Sequence, residues 1–195
     1  MGLHPCSVKE NYEDELKKVE EWFGKRKFYG VGETGLDFYW DKTFMEEQKK
    51  VFSGQIELAK KYGFPLIIHQ RECFEEVFEM VLSKNSQNLK GIFHCFTGNA
   101  EQAEKIILLG GFKLGIGGVV TYKNSGLAET LKAIDLKHIV LETDSPYLAP
   151  VPFRGKRNES SYLTIIAHKI AETKGVSIEE VAEITTKNAE EIFGH

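Results

Sequence analysis

The sequence predicts a parallel α/β fold of the (β/α)8 barrel type, incomplete at its front. Short apolar runs alternate with longer amphipathic ones along nearly the whole chain, which is the pattern of a parallel sheet with helical crossovers. The short runs lack polar alternation, as expected of strands covered on both faces. Titratable or metal-competent residues follow these runs, at the rim where barrel enzymes place their active sites.

The strand candidates are Phe28–Gly32, Pro65–Ile68, Gly91–Phe93, Phe112–Ile116 and His138–Leu141, with a further stump at Met1–Leu3. A closed barrel has eight strands and about 250 residues, so the shortfall lies at the front, where the chain opens inside what reads as a strand end. An open doubly wound sheet is the competing architecture, and it would make five strands complete. Between the strands, Thr43 before Glu46 and Asn99 before Gln102 have the spacing of helix-capping pairs. Phe44, Val51, Phe52, Ile56 and Ala59 recur at helical spacing until Gly63 stops the run. A further helix is predicted from near Ser161 to Gly175, and a last one opens at Ser177 with Glu180 three residues on.

Composition bounds the function. At 195 residues and 42% apolar, the chain suits one sizeable core, and residues 1–195 read as a single domain. Cys6, Cys73 and Cys95 are scattered and odd in number, so neither a disulfide framework nor a cysteine-rich zinc site is indicated; a reducing, cytoplasmic setting fits best. No run approaches the roughly 20 apolar residues needed to span a bilayer, and Met1–Pro5 has no secretory signature. A net charge of -4 argues against an extended basic groove for nucleic acid. A local phosphate site remains open, and Arg154-Gly155-Lys156-Arg157 is the densest basic stretch of the C-terminal half.

Glu33, His69, His94 and Asp144 each fall at the C-terminal end of a predicted strand. Taken singly, Glu33 reads as a turn cap, the histidines as core residues and Asp144 as a turn residue before Ser145-Pro146. Taken together, four such residues at one rim point to a shared metal site. No Gly-x-Ser-x-Gly elbow occurs, and Gly115–Gly118 lacks the spacing of a dinucleotide fingerprint.

The motifs Gly2-Leu3-His4-Pro5, Gly32-Glu33-Thr34-Gly35-Leu36-Asp37-Phe38-Tyr39, His69-Gln70-Arg71-Glu72, His94-Cys95-Phe96-Thr97-Gly98, Glu142–Leu148 and Phe153–Glu159 together resemble the TatD family of metal-dependent deoxyribonucleases. The likeness covers essentially the whole chain in the family's order. It implies a (β/α)8 barrel, two divalent metals (Zn, Mn or Mg) and hydrolysis of phosphodiester bonds in DNA. It also implies that Glu33 bridges the metals, that His69 and His94 complete one of them, and that Asp144 holds the other and acts as the catalytic base. His4, Arg71, Arg154 and Arg157 are the implied substrate contacts.

The family's opening strand, with its His-x-His pair, and the second strand that follows it have no counterpart in this sequence. The expectation is therefore one retained metal, impaired activity, and an open barrel edge that exposes Leu16, Val19 and Phe23 and favours either self-association or displacement of the N-terminal segment from its barrel position. Two other readings stay open. One is a small-molecule hydrolase of the amidohydrolase type, since the same cradle can polarise a carbonyl. The other is a catalytically silent barrel acting in binding or assembly.

Overall fold

The structure, a computed structural model, describes residues 1–194. Strands β1 (Val31–Asp37), β2 (Leu66–Arg71), β3 (Gly91–Phe93), β4 (Phe112–Ile116) and β5 (Ile139–Leu141) alternate with helices α1 (Tyr12–Phe23), α2 (Met45–Tyr62), α3 (Phe74–Lys84), α4 (Ala100–Leu108), α5 (Leu127–Ala133), α6 (Leu163–Lys174) and α7 (Ile178–Phe193). The contacts group the chain into two compact units. One holds Met1–His94 with Leu109–Phe112, and the other Cys95–Leu108 with the chain from Lys113 onward. No helix among the described residues is long and apolar enough to cross a membrane.

In the first unit β1, β2 and β3 pair in parallel, and their apolar side chains Val31, Leu36, Leu66, Ile68 and Phe93 are fully buried. Helix α2 lies against β1 through the stripe Gln48, Val51, Phe52, Gln55, Ile56 and Ala59. Its two glutamines are fastenings rather than packing. Gln48 accepts from the Asp37 amide at 2.9 Å and donates to the Asp37 carbonyl. Gln55 donates to Thr34 Oγ1 and exchanges two hydrogen bonds with the backbone of Leu3. Gly63, left-handed at φ 68°, ends α2 as predicted.

Several expectations need correction here. Strand β1 runs to Asp37 instead of stopping at Gly32, because Thr34 through Asp37 pair with Ile68 through Arg71; Glu33 and His69 therefore lie within strands, not after them. Thr43 does not cap α2: Phe44 occupies that position without a side-chain bond, and the Thr43 amide is taken up by Asp41. Val19 and Phe23 are not exposed. Phe23 packs with Phe28, Tyr62 and Phe64 at centroid distances of 5.3 to 5.4 Å, and Leu16 is half-buried. These aromatic residues, which flank β1 and β2, cover the C-terminal end of α1. Met1 also bonds along the edge of β1, its amine donating to the Gly30 carbonyl and its carbonyl accepting from the Gly32 amide.

In the second unit β4 and β5 pair in parallel. Asn99 and Gln102 bond reciprocally at the start of α4, as their spacing predicts. Ser177 caps α7 through the Glu180 amide, while Ser160–Tyr162 forms a 3-10 turn ahead of α6. Buried Asn188 on α7 donates to the carbonyls of Leu136 and Ile139, tying that helix to β5.

Candidate metal centre

The polar cluster of the first unit is built by three neighbouring strands and the turn that follows Leu3. Glu33 stands where the register of β1 against β2 shifts, between Val31 and Thr34; such irregularities re-aim a side chain at a rim. His69 lies on β2 opposite Gly35. Gly35 is required there: its φ is 133°, and a Cβ would come within 2.0 Å of the His69 carbonyl oxygen. His94 follows β3, and its amide continues the ladder to the Ile68 carbonyl.

The Glu33 carboxylate faces three imidazoles. Its Oε2 is 3.7 Å from His94 Nε2 and 3.7 Å from His4 Nε2, and the ligand atoms of His4, Glu33 and His69 lie within 4.8 Å of one another. A spacing of 3.7 Å is too long for a hydrogen bond. For the Glu33–His94 pair it matches two donors each about 2.0–2.2 Å from a common cation.

Hydrogen bonds sort the histidines by role. His69 Nε2 is 2.9 Å from Asp37 Oδ2, so it donates its proton there and leaves Nδ1 as a lone-pair donor. This carboxylate–imidazole pairing is the usual support of a metal-ligating histidine. His4 Nδ1 accepts from the Cys6 amide at 3.1 Å, so the proton of a neutral ring sits on Nε2. His4 thus presents an N–H toward Glu33, which suits an anion contact better than ligation. Burial, and next the neighbouring His69, hold the His4 pKa below the ordinary histidine value. Asp37 is buried, which by itself raises a carboxyl pKa, yet bonds from His69 and from the Tyr39 and Trp40 amides outweigh burial and lower it. Asp37 is therefore an anion that orients His69.

Glu33, His69 and His94 thus offer one carboxylate and two imidazoles, a borderline donor set that fits zinc or manganese well. Asp37→Asn tests the orienting role. Its Oδ1 can still accept from the two amides, but its NH2 faces His69 Nε2 and drives the ring proton to Nδ1. Affinity for Mn2+ is expected to fall about 10–100-fold with the thermal midpoint nearly unchanged; calorimetry showing equal affinity would contradict it.

Arg71 ends β2, exposed, with its guanidinium 3.7 Å from the Tyr39 ring centroid. In the second unit, Asp144 follows β5 in a left-handed conformation at φ 56°, a strained geometry of the kind that accumulates at functional sites. The Thr143–Tyr147 turn that carries it is clasped by buried Asn158, which donates to the carbonyls of Thr143 and Tyr147. Arg154 lies over the Tyr122 ring at 4.5 Å, and Arg157 is exposed. Glu142 accepts from the Cys95 amide. Asp37, Asn158 and Glu142 were not among the predicted site residues, although all three lie inside the quoted motifs.

Comparison with known proteins settles the family. The sequence model of the TatD related DNase family matches residues 1–194. The chain belongs to the TatD related DNase family. It is 42% identical over 194 residues to the uncharacterized metal-dependent hydrolase YabD of Bacillus subtilis (strain 168), covering 99% of this chain and 76% of that protein. To the uncharacterized metal-dependent hydrolase YcfH of Escherichia coli (strain K12) it is 33% identical, covering 98% and 72%. The crystal structure of YJJV, a TatD homolog from Escherichia coli K12, matches with a TM-score of 0.93 at 28% identity, over 100% of this chain and 76% of that one. This TatD-family chain is a metal-dependent hydrolase with a fold of the (β/α)8 barrel type, not a doubly wound sheet.

Proposed function

We propose that this TatD-family chain hydrolyses phosphodiester bonds of DNA, with Glu33, His69 and His94 holding a divalent cation, Zn, Mn or Mg. The observation that carries the reading is the sorted cluster of the first unit: one carboxylate, two imidazoles, and an anionic Asp37 that fixes the tautomer of His69. A divalent cation bound there supplies Lewis acidity, polarising a phosphoryl oxygen and making water easier to deprotonate.

The protein supplies the rest. Asp144 takes the proton of the attacking water as general base, its carboxylate set by the strained turn that Asn158 clasps. His4 donates its Nε2–H to a phosphate oxygen. Arg154, stiffened against Tyr122, and Arg157 pair with non-bridging oxygens, and Arg71 neutralises a neighbouring phosphate. DNA is accordingly the proposed partner.

The test is substrate class. Protein stripped of metal and reloaded with Mn2+, Zn2+ or Mg2+ is expected to cleave labelled oligodeoxynucleotides and to leave simple amides and lactones intact. Asp144→Asn is expected to lower the rate at least about 100-fold, the scale of a general base. Turnover of the carbonyl substrates with intact oligonucleotides would reverse the assignment.

A further inference from the structure

In the second unit the turn after β4 is joined to the loop after β5. An added Cβ at Gly118 would come 2.2 Å from the Leu148 carbonyl oxygen and 3.0 Å from the Pro150 nitrogen, so the 3-10 turn Gly118–Thr121 lies hard against residues 148–150. Two side chains fix the contact. Thr121 Oγ1 accepts from the Val151 amide at 2.9 Å while donating to the Gly118 carbonyl, and Tyr122 Oη donates to the Ala149 carbonyl at 3.0 Å. The basic stretch that begins at Arg154 is therefore fastened at its entry. At its exit stands buried Asn158, which clasps residues 143–147, and between the two the Phe153 ring stacks on Tyr162 at 4.4 Å.

Arg154 is exposed, and its guanidinium lies over the Tyr122 ring, 4.5 Å from the centroid. A guanidinium offers two kinds of surface. Its face is weakly hydrated and rests on an aromatic ring, while its five N–H groups lie in the plane and point outward, in the fork that pairs with a phosphate. Holding the face therefore restrains the side chain without using a donor. A free arginine loses much rotamer freedom when it pairs with a ligand; one already resting on a ring has lost part of it beforehand, which is the gain of preorganisation.

We infer that Tyr122 is a positioning residue of the reaction: its ring, set by the turn after β4, presents the edge of the Arg154 guanidinium to a non-bridging oxygen of the phosphodiester being cleaved. This rests on the nuclease reading above and brings into it the loop after β4, which carries no other residue of that site.

Tyr122→Leu removes the ring, and Tyr122→Phe keeps it while removing the hydroxyl. With metal-loaded protein and a labelled oligodeoxynucleotide, Tyr122→Leu is expected to raise KM about two- to fivefold, the size of one exposed cation–π contact. Its kcat should be unchanged, as for a contact made equally in ground and transition states, and Tyr122→Phe should recover most of the loss. In an Arg154→Gln background Tyr122→Leu should have no further effect, because a residue acting through Arg154 then has nothing to position. A rise of the same size in that background would mean that Tyr122 only supports the loop, and would overturn the inference. Should Tyr122→Leu not fold, Arg154→Lys decides in its place: an ammonium cannot rest on the ring and still offer a planar fork, so a wild-type KM there would refute the arrangement. Nuclear magnetic resonance reads the restraint without turnover. The Arg154 Nε–H, assigned by its loss in Arg154→Gln, should be ordered on the ps–ns timescale in wild type and Tyr122→Phe and mobile in Tyr122→Leu; equal order in all three would overturn the inference. If wild type cleaves no oligonucleotide, the nuclease reading fails, and the resonance measurement still decides whether the ring holds Arg154. If Tyr122→Leu cleaves with the wild-type KM, the positioning fails and the nuclease reading stands.

Discussion

Replacing Glu33 by Gln is expected to reduce divalent-ion affinity by more than about 100-fold, beyond the 10–100-fold attached to residues that only support a ligand. Glu33 is the one carboxylate in the cluster of His4, Glu33 and His69, and its Oε2 also faces His94. The substitution keeps shape and removes the charge that draws a cation among the imidazoles. The side chain is 38% exposed, so the fold has little to lose, and the thermal midpoint should stay within a few degrees of wild type. Calorimetric titration with Mn2+ reads the effect; equal binding by the variant would mean that Glu33 is not a ligand.

Gly35→Ala is expected to be among the most damaging single changes, costing above roughly 4 kcal/mol, a size reached only by exceptional substitutions. Two penalties add. At φ 133° a side chain is strained, and its Cβ would sit 2.0 Å from the His69 carbonyl oxygen, so β1 and β2 would have to separate. Gly63 provides the control, with a left-handed φ of 68° and nothing within 4 Å of an added Cβ. Gly63→Ala should cost only the strain, about 1–2 kcal/mol. Urea unfolding compares them directly. Equal losses would show that the approach of the two strands at Gly35 is not tight.

How far the sequence could be read depended on where polarity and burial coincide. β3 is uniformly apolar, β4 is apolar but for Lys113, and both are legible in the sequence to the residue. β1 and β2 continue into Thr34, Asp37, Gln70 and Arg71, whose polarity disguises backbone that is still pairing, so the apolar pattern ends before the strands do. Gln48 and Gln55 were missed for the opposite reason. They stand on the apolar stripe of α2, and two polar residues at stripe positions seven apart were the available signal that they fasten something. The exposure expected of Val19 and Phe23 failed because Phe28, Tyr62 and Phe64 surround Phe23, contacts with no periodicity to reveal them.

Three of the four candidate ligands lie in the first unit, where Glu33 neighbours both His69 and His94, and the fourth, Asp144, lies in the second; ligation restricts residue type narrowly enough to make all four candidates from sequence. Asp37 is not legible in this way, since an aspartate before aromatic residues reads as a turn former, and only the 2.9 Å bond to His69 reveals its hold on the imidazole. His4, read as a substrate contact, has its ring proton assigned by the Cys6 amide, a distinction no spacing could supply.

Cleavage of an end-labelled single-stranded oligodeoxynucleotide by metal-stripped protein as Mn2+ is added back decides whether an ion held at Glu33 carries the reaction. No cleavage is expected before addition, then a rate that rises and saturates with the ion, and no rise at all for Glu33→Gln. Cleavage that persists without metal, or that rises equally in the Glu33→Gln variant, would contradict that role.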